Sequence, residues 1–286
     1  MNIKPDWETI ATKLHTNATE EESNKFWTEE CSKWLEAIKN HFNGDYKIIE
    51  TKNFFLLSDE TDKYNKVFSE FLEATLKRIL FTLKDLASDE GYGKHVAIVF
   101  TDNDQYYDYI SLFYPEEGTF GLSSGTHINE GYGHFVFPTQ NLEFAEPIAT
   151  HELTHACLNH LPIPLWLNEG IAVSMEETLS NIPLHLDNEV FAKHQSYWTT
   201  DTIQKFWTGD SFFAPDQSQE LSYNLAHVLV KNISVNYEVF AEFAKNAFFE
   251  DAGEQASQDY LGCSLSEVVQ TFLGEGNWGP DLLSTN

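Results

Sequence analysis

Basic residues are few in this chain of 286 residues: 17 Lys and Arg stand against 45 Asp and Glu, for a formal net charge of −28. That balance repels nucleic acid and acidic membrane surfaces, and no basic cluster offsets it. The acidity supports solubility, and it would also steer basic peptides towards the protein. Long apolar runs are missing too, which argues against a membrane-spanning helix. Cysteine is scarce. Cys31, Cys157 and Cys263 are odd in number and far apart, without the spacing of a metal knuckle or redox pair. Reduced, partly buried thiols in a cytoplasmic protein are the plain reading. The segment Met1–Thr12 is polar and holds Asp6 and Glu8, so the pattern of a secretory signal is not seen. No repeat, low-complexity segment or linker is evident. What the chain does have is 42% hydrophobic and 14% aromatic residues, enough for a substantial core in one large domain or two small ones.

Residues 151–155 read His-Glu-Leu-Thr-His, and Glu169 follows in the run Trp166-Leu167-Asn168-Glu169-Gly170. Helix positions four apart lie one above the other, so His151 and His155 can offer two imidazoles to one ion. Glu152 sits about 100° around the helix from His151, where it can reach a bound water without ligating the metal. A catalytic zinc usually takes three protein ligands and keeps one position open, and Glu169 is the candidate third ligand. The competing explanation is an ordinary pair of core or surface histidines. Context favours the metal. Pro147 stands near the expected first turn of the histidine helix. Leu153, Ala156, Cys157 and His160 form a second stripe that can pack on a sheet. Pro162 and Pro164 end the helix, and a second helix can start near Leu165 and fold back beside the first.

On these residues, the stretch from Ile148 to Met175 resembles the Peptidase MA-like zincins of the gluzincin type, and is more distantly similar to thermolysin-type proteases and zinc aminopeptidases. The likeness is looser from the strand near Phe54 to the C-terminal helix. It implies a zincin-like α+β fold, one zinc held by His151, His155 and Glu169, and Glu152 as general base. One departure stands out. Thermolysin-like enzymes carry an acidic residue one turn beyond the glutamate ligand, and Val173 occupies that place here. Ligating histidines need a partner that fixes their tautomer. Glu176 or a backbone carbonyl could serve.

Hydrophobic periodicity predicts helices over Glu20–Phe42 and Thr61–Ala87, strands over Tyr46–Glu50, Asn53–Ser58 and His95–Phe100, and a helix from an Asp102 cap to about Tyr114. A strand is expected near Thr119–Leu122 and another over Tyr132–Phe137. Residues after 160 read as helices: Leu165–Leu179, Asn188–Trp198, Leu221–Ile233, Glu238–Phe249 and Leu265–Leu273. Strands first and helices later describe an α+β protein with a mixed sheet. Its parts are an N-terminal helical segment (1–44), an α/β sub-domain with the histidine helix (45–160) and a helical lobe carrying the third ligand (161–286).

The resemblance also places an exposed sheet edge along the cleft, just before the histidine helix. It makes Gly133, His134 and Phe135 candidate substrate contacts, because a peptide can add to a free edge. An ordinary core strand is the alternative. Tyr223, expected at the start of a helix in the second lobe, is the candidate donor to the developing oxyanion. His227, one turn on, is the reserve, and both residues have structural alternatives. His127, His160, His185 and His194 lack ligand spacing and are assigned structural or surface roles. Glu116 and Glu117 fall in an expected loop. The leading function is a zinc metallopeptidase acting on peptide or protein, with no nucleic-acid or membrane partner. The rivals are a zinc hydrolase of another substrate and a catalytically silent binding module. The Gly-Ala-Met-Glu-Asn-type motif that anchors free amino termini is missing, which favours endopeptidase action.

Overall fold

A computed structural model describes residues 2–89, 91–114, 125–138, 141–180 and 187–281. They form two compact units, Met1–Phe81 with Asp89–Ala156, and Thr82–Ser88 with Cys157–Asn286. The chain is α+β with a mixed sheet. No helix among the described residues is long and apolar enough to cross a membrane.

The first unit is built on a sheet of β1 (Lys47–Glu50), β2 (Phe54–Ser58), β3 (His95–Phe100), β4 (Thr126–Ile128) and β5 (His134–Pro138), in the order β1-β2-β3-β5-β4. β2, β3 and β5 run parallel, and β1 and β4 pair antiparallel at the two ends. Every residue of β2 is buried, as expected of a strand covered on both faces. Alternate residues of these strands serve the two faces. Phe55, Leu57, Val96, Ile98, Phe100 and Val136 pack with Trp34, Leu35 and Ile38 of one helix and Tyr106, Tyr109 and Ile110 of another. These helices are α2 (Glu20–His41) and α4 (Asn103–Ser111), which follow a short α1 (Trp7–Ala11) and α3 (Asp62–Leu83) in chain order. The opposite face meets α3, where Phe68 packs edge-on against Phe137 at 5.8 Å. Local chemistry sets the helix starts. Thr19 and Glu22 form a capping box on α2, and Asp102 caps α4.

The long helix expected to reach Ala87 stops earlier. α3 ends at Leu83, Lys84 takes φ 47°, and a 3-10 turn covers Lys84–Leu86. Tertiary contacts override the helical pattern there: the Tyr237 hydroxyl donates to the Leu83 carbonyl, and Lys245 pairs with Asp85. The histidine helix, α5 (Leu142–Leu158), starts earlier than expected, so Pro147 lies inside it and not in its first turn. Its missing N–H leaves the Glu143 carbonyl without its usual intrahelical donor. β4 was not anticipated, and the strand expected near 119–122 lies outside the described residues. So do Glu116, Glu117 and His185.

The second unit is helical among its described residues. It comprises α6 (Leu165–Ser180), α7 (Asn188–Tyr197), α8 (Thr202–Thr208), α9 (Gln217–Ile233), α10 (Tyr237–Asn246), a single turn α11 (Glu254–Ala256) and α12 (Leu265–Leu273). α8 was not foreseen, being too short to show a helical period. α6 and α9 form the main helix pair. Gly170 permits their approach, because a Cβ there would stand 2.6 Å from the Ala226 carbonyl oxygen and from Val230. Trp166 is fully buried against Phe206, Trp207 and Phe243, and its indole N–H donates to the Ala252 carbonyl at 2.9 Å.

Candidate metal centre

α5 stacks its two histidines as the spacing requires. The imidazole centroids of His151 and His155 are 4.7 Å apart, with ring planes at 83°. Both rings are half-buried. Glu169, on the first turns of α6, is buried at 8% exposure. One ligand atom from each of His151, His155 and Glu169 lies within 4.8 Å of the others. A tetrahedral zinc with bonds near 2.1 Å holds its donors roughly 3.4 Å apart. Side-chain torsion can close that difference. Two neutral imidazoles and one carboxylate are a donor set that suits zinc and leaves a fourth position for solvent. These residues fit the metal.

Hydroxyls on the α5 floor restrain its backbone. Thr150 donates to the Glu146 carbonyl at 3.0 Å, and Thr154, fully buried, donates to the Thr150 carbonyl at 2.8 Å. Glu152 is half-buried next to His151.

Two residues outside the expected site interact with this helix. His127, on β4, is held well below its ordinary range, to about 3, first by burial and then by the charge of His155. It therefore lies within electrostatic reach of a candidate ligand and is not a remote structural histidine. Tyr114 follows α4, and its hydroxyl is pushed up mainly by burial, with the negative charge of Glu152 next and a hydrogen bond with Thr126 opposing. A tyrosine hydroxyl thus stands within the field of the candidate base. Neither residue could be read from the sequence, since both flank the Gly-rich stretch after Pro115, where no period marks a strand.

The expected substrate platform is corrected. β5 pairs with β3 on one side and β4 on the other, so it is an inner strand. His134 and Phe135 are buried at 1% and 2% exposure. His134 Nε2 meets the Tyr109 hydroxyl at 2.8 Å, and its Nδ1 meets the Tyr132 carbonyl at 2.7 Å. Neither residue can receive a peptide, and Gly133 lies just before the paired segment. Chain order suggested an edge, but the short strand β4 takes that place. Among the described residues β4 has no second neighbour.

Tyr223 is half-buried, with its ring edge-on to Phe212 at 5.2 Å. It does not start its helix: α9 begins at Gln217, capped by Asp216, which places Tyr223 in the second turn. His227 is corrected as a substrate contact. It is buried at 1%, with Nε2 3.0 Å from Glu177, whose carboxylate also receives Lys231. Burial lowers its pKa more than Glu177 raises it. The Glu177 group ties α9 to α6, and burial encloses the His227 ring, whose Nδ1 has no hydrogen-bond partner among the described residues. Glu176 is half-buried on α6. His194 is fully buried and His160 is exposed.

No protein-family model matches this chain, and no curated protein matches it.

Proposed function

We propose that the chain is a zinc-dependent peptidase of the gluzincin plan. The observation that carries this reading is the grouping of His151, His155 and Glu169, with Glu152 beside the first histidine on the same helix. His151, His155 and Glu169 would hold one zinc ion. When bound, zinc supplies a Lewis acid and lowers the pKa of a coordinated water towards neutrality.

The rest falls to the protein's side chains. Glu152 accepts a proton from the attacking water and later delivers it to the leaving amine nitrogen. The same carboxylate thus serves as base and then, once protonated, as acid. Tyr223 is the candidate hydrogen-bond donor to the oxygen on which charge develops. An extended peptide would add to the side of β4 that has no neighbour among the described residues, with His127 at its margin. A silent binding module has no use for a carboxylate at position 152, so retention of Glu152 favours an enzyme.

The test is Glu152→Gln, read against a quenched-fluorescent peptide library and a panel of small esters. Glutamine keeps the shape but cannot take the proton. Zinc content should be unchanged and peptide cleavage should fall about 100-fold or more. A fully active variant would sink the mechanism. Loss of ester cleavage alone, with no peptide ever cut, would favour a zinc hydrolase of another substrate.

A further inference from the structure

The chain carries one four-residue repeat, too short to mark a domain. Glu-Gly-Tyr-Gly occurs at 90–93 and again at 130–133. The two Gly-Tyr-Gly runs precede β3 and β5, which are neighbouring parallel strands. Topology therefore brings them side by side, and both line one cavity of about 500 Å³ within the first unit. That volume is ordinary for a small-molecule site. None of the candidate metal ligands lines it.

The two copies have separate roles. Tyr132 is a brace: its hydroxyl donates to the Lys94 carbonyl at 2.7 Å and accepts from the Lys94 N–H at 3.0 Å, and its ring packs among Trp7, Trp27 and Trp34. Gly93 is confined to glycine, with φ +88° and a would-be Cβ 2.4 Å from the Tyr132 hydroxyl. Asn24 accepts from the Gly93 N–H at 3.1 Å and fixes the first loop from the other side. Tyr92 has no comparable duty. It is 51% exposed on the cavity wall, and among the described residues it makes no hydrogen bond or ring contact. The first loop is thus held in place while its aromatic ring stays open, which is the pre-organised arrangement that favours binding.

The remaining lining defines the ligand's chemistry. Two carboxylates, Glu20 and Asp89, line the cavity together with two ammonium groups, Lys52 and Lys94. Lys94 is already paired with Glu50 at 2.8 Å, and Asp89 with His95 at 2.6 Å. With Glu50 counted, three carboxylates stand against two ammonium groups, so no surplus positive charge is left to select a strong anion. Donors and acceptors on planar side chains remain for a ligand among the described residues: the Asn24 side-chain N–H groups, the Asn53 side-chain Oδ1 and His95 Nδ1. Hydroxyls both donate and accept, so a polyhydroxylated ring matches such a mixed set, and its C–H face matches the rings of Trp27 and Tyr92. We propose that this cavity is a saccharide-binding site, with a pyranose ring stacked on Tyr92 and its hydroxyls held by Asn24, Asn53 and His95.

The proposal stands apart from the metal reading, and its test uses the full chain. Amide shifts of Gly91, Gly93 and Gly133 are followed by NMR during titration with glucose, galactose, N-acetylglucosamine and their β-1,4-linked disaccharides. Inorganic phosphate and acetate are titrated in parallel. At least one sugar should shift these amides. Tyr92→Ala should weaken that binding about 10-fold or more with an unchanged melting temperature, and Tyr92→Phe, which keeps the ring, should restore it. Should the alanine variant melt early, the phenylalanine variant decides alone, since loss of binding with the ring present contradicts stacking. No response to any sugar, an equal response in Tyr92→Ala, or a response to phosphate or acetate only would overturn the proposal.

Discussion

The two helices that supply the candidate ligands place them by different means. α5 needs only its own period, because residues 151 and 155 share a face wherever the segment is helical. α6 needs a neighbour. Glu169 is held where it is because Trp166 is locked into the second unit's core and Gly170 lets α9 come close. One site therefore depends on local geometry for two ligands and on tertiary packing for the third. Changes on α6 away from the ligand should disturb the metal group through packing, while surface changes on α5 should not.

The largest effect that would sharpen this contrast is expected from Trp166→Ala. Truncating a fully buried tryptophan should lose about 3–5 kcal/mol of stability, and the indole's bond to the Ala252 carbonyl goes with it. Urea unfolding checks the stability, and competition with a chelator checks zinc affinity, which should fall as well. A variant as stable as wild type would show that α6 is not anchored by this residue.

Next is Gly170→Ala. The added methyl meets a backbone carbonyl at 2.6 Å, which α9 can relieve only by moving. Overpacking of this kind should lose about 1–3 kcal/mol. An alanine there is otherwise a better helix former than glycine, so a stabilised variant would mean that α6 and α9 are less tightly paired than described.

A third effect, whose size is set by pH, concerns buried histidines, one in each unit. His134 and His194 are each held down to about 4 from an ordinary 6.5, in both cases by burial. His194 Nδ1 accepts the Trp198 indole N–H at 2.9 Å, which leaves its proton on Nε2, without a partner among the described residues. A depressed folded pKa means that the unfolded chain takes up a proton first as pH falls. Stability should then drop from about pH 6.5 towards pH 4, by about 1.4 kcal/mol per pH unit for each group, and level off below. His194→Gln, which keeps an acceptor but cannot titrate, should flatten the second unit's share of this slope in urea titrations at pH 7 and pH 5. An unchanged slope would contradict the assignment of His194 as a neutral buried imidazole.

Much of this organisation was legible from residue order, for physical reasons. β3 was located in full because His95–Phe100 is an apolar run bounded by turn residues, α2 because its apolar residues recur at helical spacing, and α4 because Asp102 marks its start. The grouping of His151, His155 and Glu169 follows from a four-residue spacing and a Pro-broken turn. Sheet order was not legible. Position just before α5 suggested that β5 was an edge, but the three residues Thr126–Ile128 pair outside it, and a strand so short in a Gly-rich stretch carries no period. His127 was missed with it. The end of α3 at Leu83 was hidden too, since it depends on Tyr237 and Lys245, more than a hundred residues away in sequence.

Metal content decides the central claim most directly. Zinc per chain should be measured by mass spectrometry on freshly purified protein, alongside His151→Ala. About one zinc per chain, lost in the variant, is the expected result, because zinc affinity depends on the number of ligands. No zinc even after reconstitution, or equal zinc in both proteins, would mean that His151, His155 and Glu169 do not converge on an ion, and the peptidase reading would fall with them.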